Sequence, residues 1–190
     1  MSLLFQEEKI GNITLKNRIV MPPMCMYKSD NSGELKAFHK THYLARAVGG
    51  VGLIIVEATA VEPKGRISDA DLGLWEDSQI IQHKELNEDI HFFGAKTAIQ
   101  IAHAGRKSTV KDTTPIAPSV IAFSNEEPFK IPISASLEDI KNIKELFVKT
   151  AIRAKSANYD AIELHAAHGY LLCEFLSPLS NTREDIYGGS

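Results

Sequence analysis

Hydrophobic residues along the chain gather in four short runs, at residues 18–21, 52–57, 96–101 and 160–164. Each run is rich in β-branched residues and is too continuous for a strand that has one solvated face. Runs of this kind are typical of parallel strands that are buried on both faces of a sheet. The pattern therefore predicts four strands of a parallel sheet.

A segment with helical periodicity precedes each of the last three runs. Each segment is followed by a Gly or an Asn, the residue types that tolerate the left-handed conformation in which helices end. Strand and helix therefore alternate, which predicts an α/β fold with crossover helices. The predicted helices span residues 37–48, 77–93 and 137–157, and their stop signals are Gly49-Gly50, Gly94 and Asn158.

The third predicted helix carries the clearest signals. Ser136 can cap its N-terminus, with Asp139 three residues later as the reciprocal partner. One face of the helix is apolar, as expected for a helix that packs on a sheet. The apolar positions are Ile140, Ile143, Phe147, Ala151 and Ala154.

The stretch that follows residue 108 breaks this alternation, because it contains four prolines and has no helical period. Connections of this length between a strand and a helix are uncommon. We therefore expect residues 108–136 to form a cap or lid. A disordered insertion is the alternative, although residues 117–123 are too apolar to be favourably solvated.

Composition narrows the classes of function. The chain has 190 residues, of which 44% are hydrophobic and 24% charged, with a net charge of −3; these are values of a globular domain without a basic face for nucleic acid or acidic lipid. It has no run of about 20 apolar residues for a membrane span and no pattern of a secretory signal. Cys25 and Cys173 are far apart, which argues against a disulfide framework and favours a reducing cytoplasm. We expect a cytoplasmic protein that acts on small molecules.

Polar side chains occur at or just after the end of each predicted strand. In a (β/α) barrel the chemistry is located at the carboxyl ends of the strands, because the rest of the interior is packed. A thiol, an amide, imidazoles and phenols reaching one edge of a sheet therefore indicate an active site. The residues are Cys25 and Tyr27 after the first strand, Glu57 and Thr59 at the end of the second, Gln100 on the third and His103 just after it, and His165, His168 and Tyr170 after the fourth.

Each of these residues also has a structural interpretation. Cys25 could be a small buried hydrophobe, and His103 could cap a neighbouring loop. Gln100 is harder to explain inside an apolar strand, because a buried amide needs hydrogen-bond partners such as those of a heterocycle. His165 and His168 could bind a metal ion, although no further ligands accompany them at a recognisable spacing.

The same two histidines permit a second chemistry. Two neutral imidazole N–H groups that converge on one point would stabilise a carbonyl oxygen as it gains negative charge. Tyr170 would then be placed to deliver a proton to the carbon beside that carbonyl. Glu57 and Glu163 lie within predicted strands, and we interpret them as packing or salt-bridge residues.

Five longer motifs resemble the Old Yellow Enzyme family of flavin oxidoreductases, and most closely its bacterial branch, which has a cysteine beside the flavin. The resemblance extends from about residue 4 to the end of the chain, and the motifs occur in the order of the family. They lie at residues 17–27, 103–107, 163–171, 176–181 and 187–190.

The resemblance implies an FMN-dependent enzyme that takes hydride from NADPH or NADH and delivers it to an electron-poor alkene or a nitro substrate, in a ping-pong reaction. It also implies the roles of the site residues. Pro23, Met24 and Cys25 would lie against the flavin, with Cys25 tuning its redox potential; Ala58, Gln100 and His165 would contact the flavin; Tyr27, His165 and His168 would bind substrate; and Tyr170 would donate the proton.

In the family these residues belong to a (β/α)8 TIM barrel, of which residues 1–190 would supply the first four strand–helix units. The phosphate-binding loops and a flavin-contacting arginine follow the later strands. We therefore expect a truncated N-terminal half that is inactive alone and a complete protein that is a homo-oligomer. Pro22 stands where many relatives have Ser or Ala, so any flavin contact through an N–H is absent there.

Two other functions stay open. The chain could be a folded half-barrel without catalytic activity. It could also be a metal-dependent barrel hydrolase that uses His103, His165 and His168.

Overall fold

The computed structural model describes residues 2–189 and contains, within that range, nine strands and four α-helices. The strands are β1 (Glu8–Ile10), β2 (Ile13–Leu15), β3 (Val20–Met21), β4 (Leu53–Ala60), β5 (Leu72–Gly73), β6 (Lys96–Ala102), β7 (Ile116–Ala117), β8 (Ile133–Ser134) and β9 (Ala161–Leu164). The helices are α1 (Ala37–Val48), α2 (Ile80–Phe92), α3 (Leu137–Ser156) and α4 (Leu171–Leu176). Among the described residues, no helix is both long and apolar enough to cross a membrane.

The central sheet consists of β3, β4, β6 and β9, all parallel and in the order of the chain, with β5 paired to the end of β4. Parallel neighbours need crossover connections, and α1, α2 and α3 lie in the three intervals between these strands. This is the repeated strand–helix unit of a partial (β/α) barrel. The four strands predicted from the sequence are confirmed.

The strand boundaries differ most from the prediction at the start of β3 and at the end of β4. β3 is shorter, because the N–H of Arg18 donates to the carbonyl oxygen of Leu4 at 3.0 Å instead of joining the sheet. β4 continues beyond Glu57 to Ala60, where it still pairs with the last residues of β6.

The predicted helices are present, and the capping of α3 agrees with the prediction. The N–H of Asp139 donates to Ser136 Oγ at 3.0 Å, and the N–H of Ser136 donates to the Asp139 carboxylate at 2.9 Å. The second helix begins later than predicted. Asp77–Gln79 form a 3-10 turn, and the Gln79 side chain accepts the N–H of Trp75 at 2.8 Å, so the α-helix starts only at Ile80.

The main core lies between the sheet and its helices. Ile54 and Ile99 of the sheet are fully buried, as are Leu86 and Ile90 of α2. The sequence predicted that β9 is buried on both faces. On one face, however, Ile162 and Leu164 are 40% and 58% exposed. Among the described residues β9 pairs with β6 alone, so one of its edges has no neighbouring strand.

The proline-rich segment 108–136 is ordered into a short parallel pair, β7 with β8. Ile116 and Ala117 are buried, so the segment packs against the body of the protein. The N–H of Thr182 also donates to Ser119 Oγ at 2.9 Å, which ties the segment to the chain after α4. A role for the segment as a cap stays a prediction.

Candidate active site

An open cavity of about 690 Å³ lies at the carboxyl ends of β3, β6 and β9. It brings together six of the side chains that the sequence indicated. Prolines and alanines supply apolar walls, and an amide, a carboxylate, two imidazoles, a thiol and a phenol supply polar groups. The residues lining it are Pro22, Pro23, Cys25, Gln100, Glu163, Leu164, His165, Ala166, Ala167, His168 and Tyr170.

Three aromatic rings converge in this cavity. The ring centroid of His165 lies 5.1 Å from that of His168 and 4.8 Å from that of Tyr170, with the rings nearly perpendicular in both pairs. A tight turn creates this arrangement, since His168 and Gly169 both have left-handed backbones, with φ of 56° and 70°. Lys107 stabilises the turn, because its ammonium donates to the carbonyl oxygen of His168 at 3.0 Å.

His165 is buried, and a hydrogen bond to its ring shows which ring nitrogen carries the hydrogen. The N–H of Ala167 donates to His165 Nδ1 at 3.4 Å, which assigns the hydrogen of the neutral ring to Nε2. Burial lowers the pKa of His165, and the neighbouring His168 lowers it further. At neutral pH the ring is therefore an uncharged N–H donor.

Cys25 and Tyr27 follow β3 on one loop, close enough for each side chain to affect the pKa of the other. Burial raises the pKa of the Cys25 thiol to about 11, and the negative charges of Asp71 and Glu57 contribute. Cys25 is therefore a protonated thiol at neutral pH. Burial also raises the pKa of Tyr27 to about 12, although its side chain stays half-exposed. Its backbone is left-handed, with φ of 53°.

Gln100 faces Glu163 across the ladder between β6 and β9, and its Nε2 donates to Glu163 Oε1 at 2.5 Å. On its other side β6 pairs with β4, and the register shifts there. Val56 pairs with Ile99, and the next pair is Thr59 with Ile101. Two residues of β4, Glu57 and Ala58, therefore stand opposite the single Gln100. Such a bulge bends a strand and redirects its side chains, and bulges are frequent beside active sites.

His103 is turned away from this cavity. The N–H of Gly105 donates to His103 Nδ1 at 3.0 Å, and His103 Nε2 lies 2.9 Å from Glu62 Oε1. These contacts favour the loop-capping interpretation of His103. Within residues 2–189, no group of three or more His, Cys, Asp or Glu side chains is arranged to hold a metal ion.

Besides His103, three of the indicated residues are not among those that line the cavity: Met24, Tyr27 and Ala58. Ala58 contacts Cys25 through its backbone, and Met24 is half-exposed on the same loop.

The sequence indicated a packing or salt-bridge role for Glu57 but not the buried cluster that surrounds it beneath this loop. The Glu57 carboxylate accepts the N–H of Met26 at 2.9 Å and lies against His39 and Tyr43 of α1. The available signal was an acidic residue inside an otherwise apolar strand.

The sequence matches the NADH:flavin oxidoreductase / NADH oxidase family over residues 3–190. It is 56% identical to an NADPH dehydrogenase of Bacillus licheniformis over 188 residues, which are 98% of this chain and 55% of that protein. It is 53% identical to an NADPH dehydrogenase of Listeria monocytogenes over 190 residues, again 55% of that protein. The chain thus spans about half the length of these relatives.

Solved structures agree with the sequence comparison. Morphinone reductase in complex with tetrahydroNAD superposes with a TM-score of 0.92 at 31% identity, covering 100% of this chain and 56% of that one. The Old Yellow Enzyme from Pichia sp. AKU4542 gives a TM-score of 0.92 at 30% identity, covering 99% of this chain and 52% of that one.

Proposed function

Because this chain belongs to the NADH:flavin oxidoreductase / NADH oxidase family, we propose that it supplies the substrate-facing half of an FMN-dependent enzyme. That enzyme would use NADPH or NADH to reduce the C=C bond of an activated alkene. One observation carries the proposal: His165, His168 and Tyr170 converge in the cavity that Cys25 and Gln100 also line.

The cavity fits a flavin by its chemistry. Pro22 and Pro23 offer a flat apolar wall, and Gln100 offers an amide whose oxygen makes no hydrogen bond with the described residues. An amide in such a position suits a heterocycle that presents both donors and acceptors. Pro23, Met24, Cys25, Ala58, Gln100 and His165 would hold the ring, and FMN would supply the hydride chemistry when bound.

The residues of the chain itself would bind and polarise the substrate. The Nε2–H group of His165, with an N–H group of His168, would donate to the carbonyl or nitro oxygen, where negative charge develops. The pKa of Tyr170 is raised, mainly by burial, so its hydroxyl group keeps its proton at neutral pH. The hydroxyl group can then deliver this proton to the substrate carbon. Tyr27, half-exposed beside the cavity, would contact the far end of the substrate.

The neutral state of Cys25 supports a role in tuning the cofactor. A protonated thiol contributes polarity without adding a charge to the face of the flavin. The same cavity would receive the nicotinamide and then the alkene, which is why we propose a ping-pong order.

A chimera tests the proposal directly. This chain replaces the matching 55% of the Bacillus licheniformis relative, and NADPH consumption is followed with 2-cyclohexenone as substrate. We expect turnover that depends on the alkene. His165→Ala should lower kcat by about 10²–10³-fold, as the loss of one donor to a developing oxyanion does. The other five residues proposed to hold the ring should keep the flavin bound.

His103→Ala is the matched control, since His103 contacts Glu62 and is not among the residues lining the cavity. A folded chimera that binds zinc stoichiometrically and is colourless would favour the hydrolase. A folded chimera that binds neither group would favour a half-barrel without catalytic function. Equal effects of the two histidine substitutions would contradict the role of His165.

A further inference from the structure

A buried carboxylate lies directly beneath the loop that carries Cys25. The Glu57 side chain is 1% exposed, and His39 and Tyr43 of α1 are equally inaccessible to solvent. His39 Nε2 lies 3.5 Å from Glu57 Oε1, and the Tyr43 hydroxyl lies 3.4 Å from the same oxygen. The Tyr43 hydroxyl in turn accepts the N–H of Glu57 at 3.0 Å.

This carboxylate has no cationic partner among the described residues. His39 Nδ1 accepts the N–H of Lys36 at 3.0 Å, so the hydrogen of its neutral ring is on Nε2, which faces Glu57. Burial lowers the pKa of His39 to about 4, so the ring is uncharged at neutral pH. Burial raises the pKa of Glu57 to about 7, and the charge of Asp71 adds to this effect.

The cluster contacts the active-site loop at one backbone atom. Glu57 Oε2 accepts the N–H of Met26 at 2.9 Å, and Met26 separates Cys25 from Tyr27. The next residue, Tyr27, has a left-handed backbone with φ of 53°. That conformation costs a non-glycine residue about 1 kcal/mol or more, so surrounding contacts must maintain it.

We propose that Glu57 is a positioning residue, whose carboxylate fixes the amide of Met26 and thereby sets the position and reactivity of Cys25. Its importance for the reaction rests on the proposed flavin function, but the contact itself does not. The groups that face Glu57 are His39 and Tyr43 from α1 and the Met26 amide from the loop. The charge of Asp71 raises the pKa of Glu57, and the charge of Glu57 raises the pKa of Cys25.

The test measures the reactivity of Cys25 in the flavin-free chain. The chain has two cysteines, so Cys173→Ser leaves Cys25 as its one thiol. The rate of alkylation by iodoacetamide is measured between pH 7 and pH 10, with and without Glu57→Gln. We expect the substitution to accelerate alkylation at least about threefold at a given pH, because removing a nearby negative charge lowers the pKa of a thiol.

Glu174→Gln provides the matched control. Glu174 is also 1% exposed and also accepts a backbone N–H, that of Arg106 at 2.9 Å, but its charge is not among those acting on Cys25. We expect this variant to react at the unsubstituted rate. An unchanged rate in a folded Glu57→Gln variant, or an equal acceleration in both variants, would overturn the proposal.

A second variant separates the hydrogen bond from the charge. Glu57→Asp keeps a carboxylate but is one methylene too short to reach Met26, so the Met26 amide should exchange with deuterium at least about tenfold faster. Unchanged exchange would contradict the proposal, and this measurement decides the matter if Glu57→Gln does not fold.

In the flavin-loaded chimera, Glu57→Gln should also shift the flavin midpoint potential, and Glu174→Gln should not. Absence of flavin binding would refute the proposed function while the alkylation result stands. Flavin binding without any effect of Glu57→Gln on alkylation would refute the positioning role alone.

Discussion

Replacing Glu174 by glutamine should stabilise the protein at alkaline pH much more than at acidic pH. Glu174 lies on α4 with its side chain 1% exposed. Its Oε1 accepts the N–H of Arg106, whereas its Oε2 is buried without a hydrogen-bond partner among the described residues. Burial raises its pKa to about 8, and the positive charges of Arg106 and Lys107 offset only part of that effect.

The magnitude follows from linkage between proton binding and folding. A folded-state pKa raised above the unfolded value means that the folded protein holds the proton more tightly. The resulting stability is fully present below pH 4.5 and is lost as the pH rises toward about 8. Each tenfold change in proton affinity corresponds to about 1.4 kcal/mol, so the loss reaches at most about 5 kcal/mol.

Urea unfolding followed by circular dichroism at pH 5, 7 and 9 measures this effect. Glutamine does not ionise, so the difference in the free energy of unfolding between Glu174→Gln and the unsubstituted chain should rise by several kcal/mol from pH 5 to pH 9. Changes in packing contribute equally at each pH and cancel in that comparison. A difference that does not vary with pH would contradict the raised pKa of Glu174.

Three further substitutions test the fold by urea unfolding at pH 7. Asp160→Ala should lower the free energy of unfolding by about 3 kcal/mol, because the Lys96 ammonium and the Thr97 N–H each lose the carboxylate to which they donate at 2.9 Å. A loss below about 1 kcal/mol would show that these contacts contribute little. Ile99→Ala should cost about 3–4 kcal/mol because Ile99 is fully buried in the core, and a cost near that of an exposed position would contradict this placement. Ser136→Ala should cost about 1 kcal/mol through loss of the N-terminal cap of α3, and no loss would mean that the cap is dispensable.

The central sheet was predictable because its interior strands need continuous apolar sequence. The hairpin of β1 and β2 was not predicted, since its strands have three residues each and a weak burial pattern. Its turn contains Gly11, whose backbone is left-handed with a φ of 57°. Helix α4 has six residues, too few for helical periodicity to be recognised.

The cavity was predictable to the extent that the strands are parallel. Their carboxyl ends lie at one edge, so residues after the first, third and fourth strands had to meet. The direction of each side chain was not predictable in the same way. His103 points to Glu62, a residue 41 positions away, and the surroundings of Glu57 depend on α1. Contacts of this kind arise from packing and leave no local pattern in the sequence.

A titration with FMN asks whether the cavity at the carboxyl ends of β3, β6 and β9 is a flavin site. The isolated chain and the chimera with the Bacillus licheniformis relative are titrated with FMN, and quenching of flavin fluorescence gives the affinity and stoichiometry. We predict that the chimera retains one FMN per chain and that the isolated chain binds it far more weakly. A folded chimera without flavin would contradict the assignment of the cavity, and tight binding with NADPH oxidation by the isolated chain would contradict the need for the remaining part of the barrel.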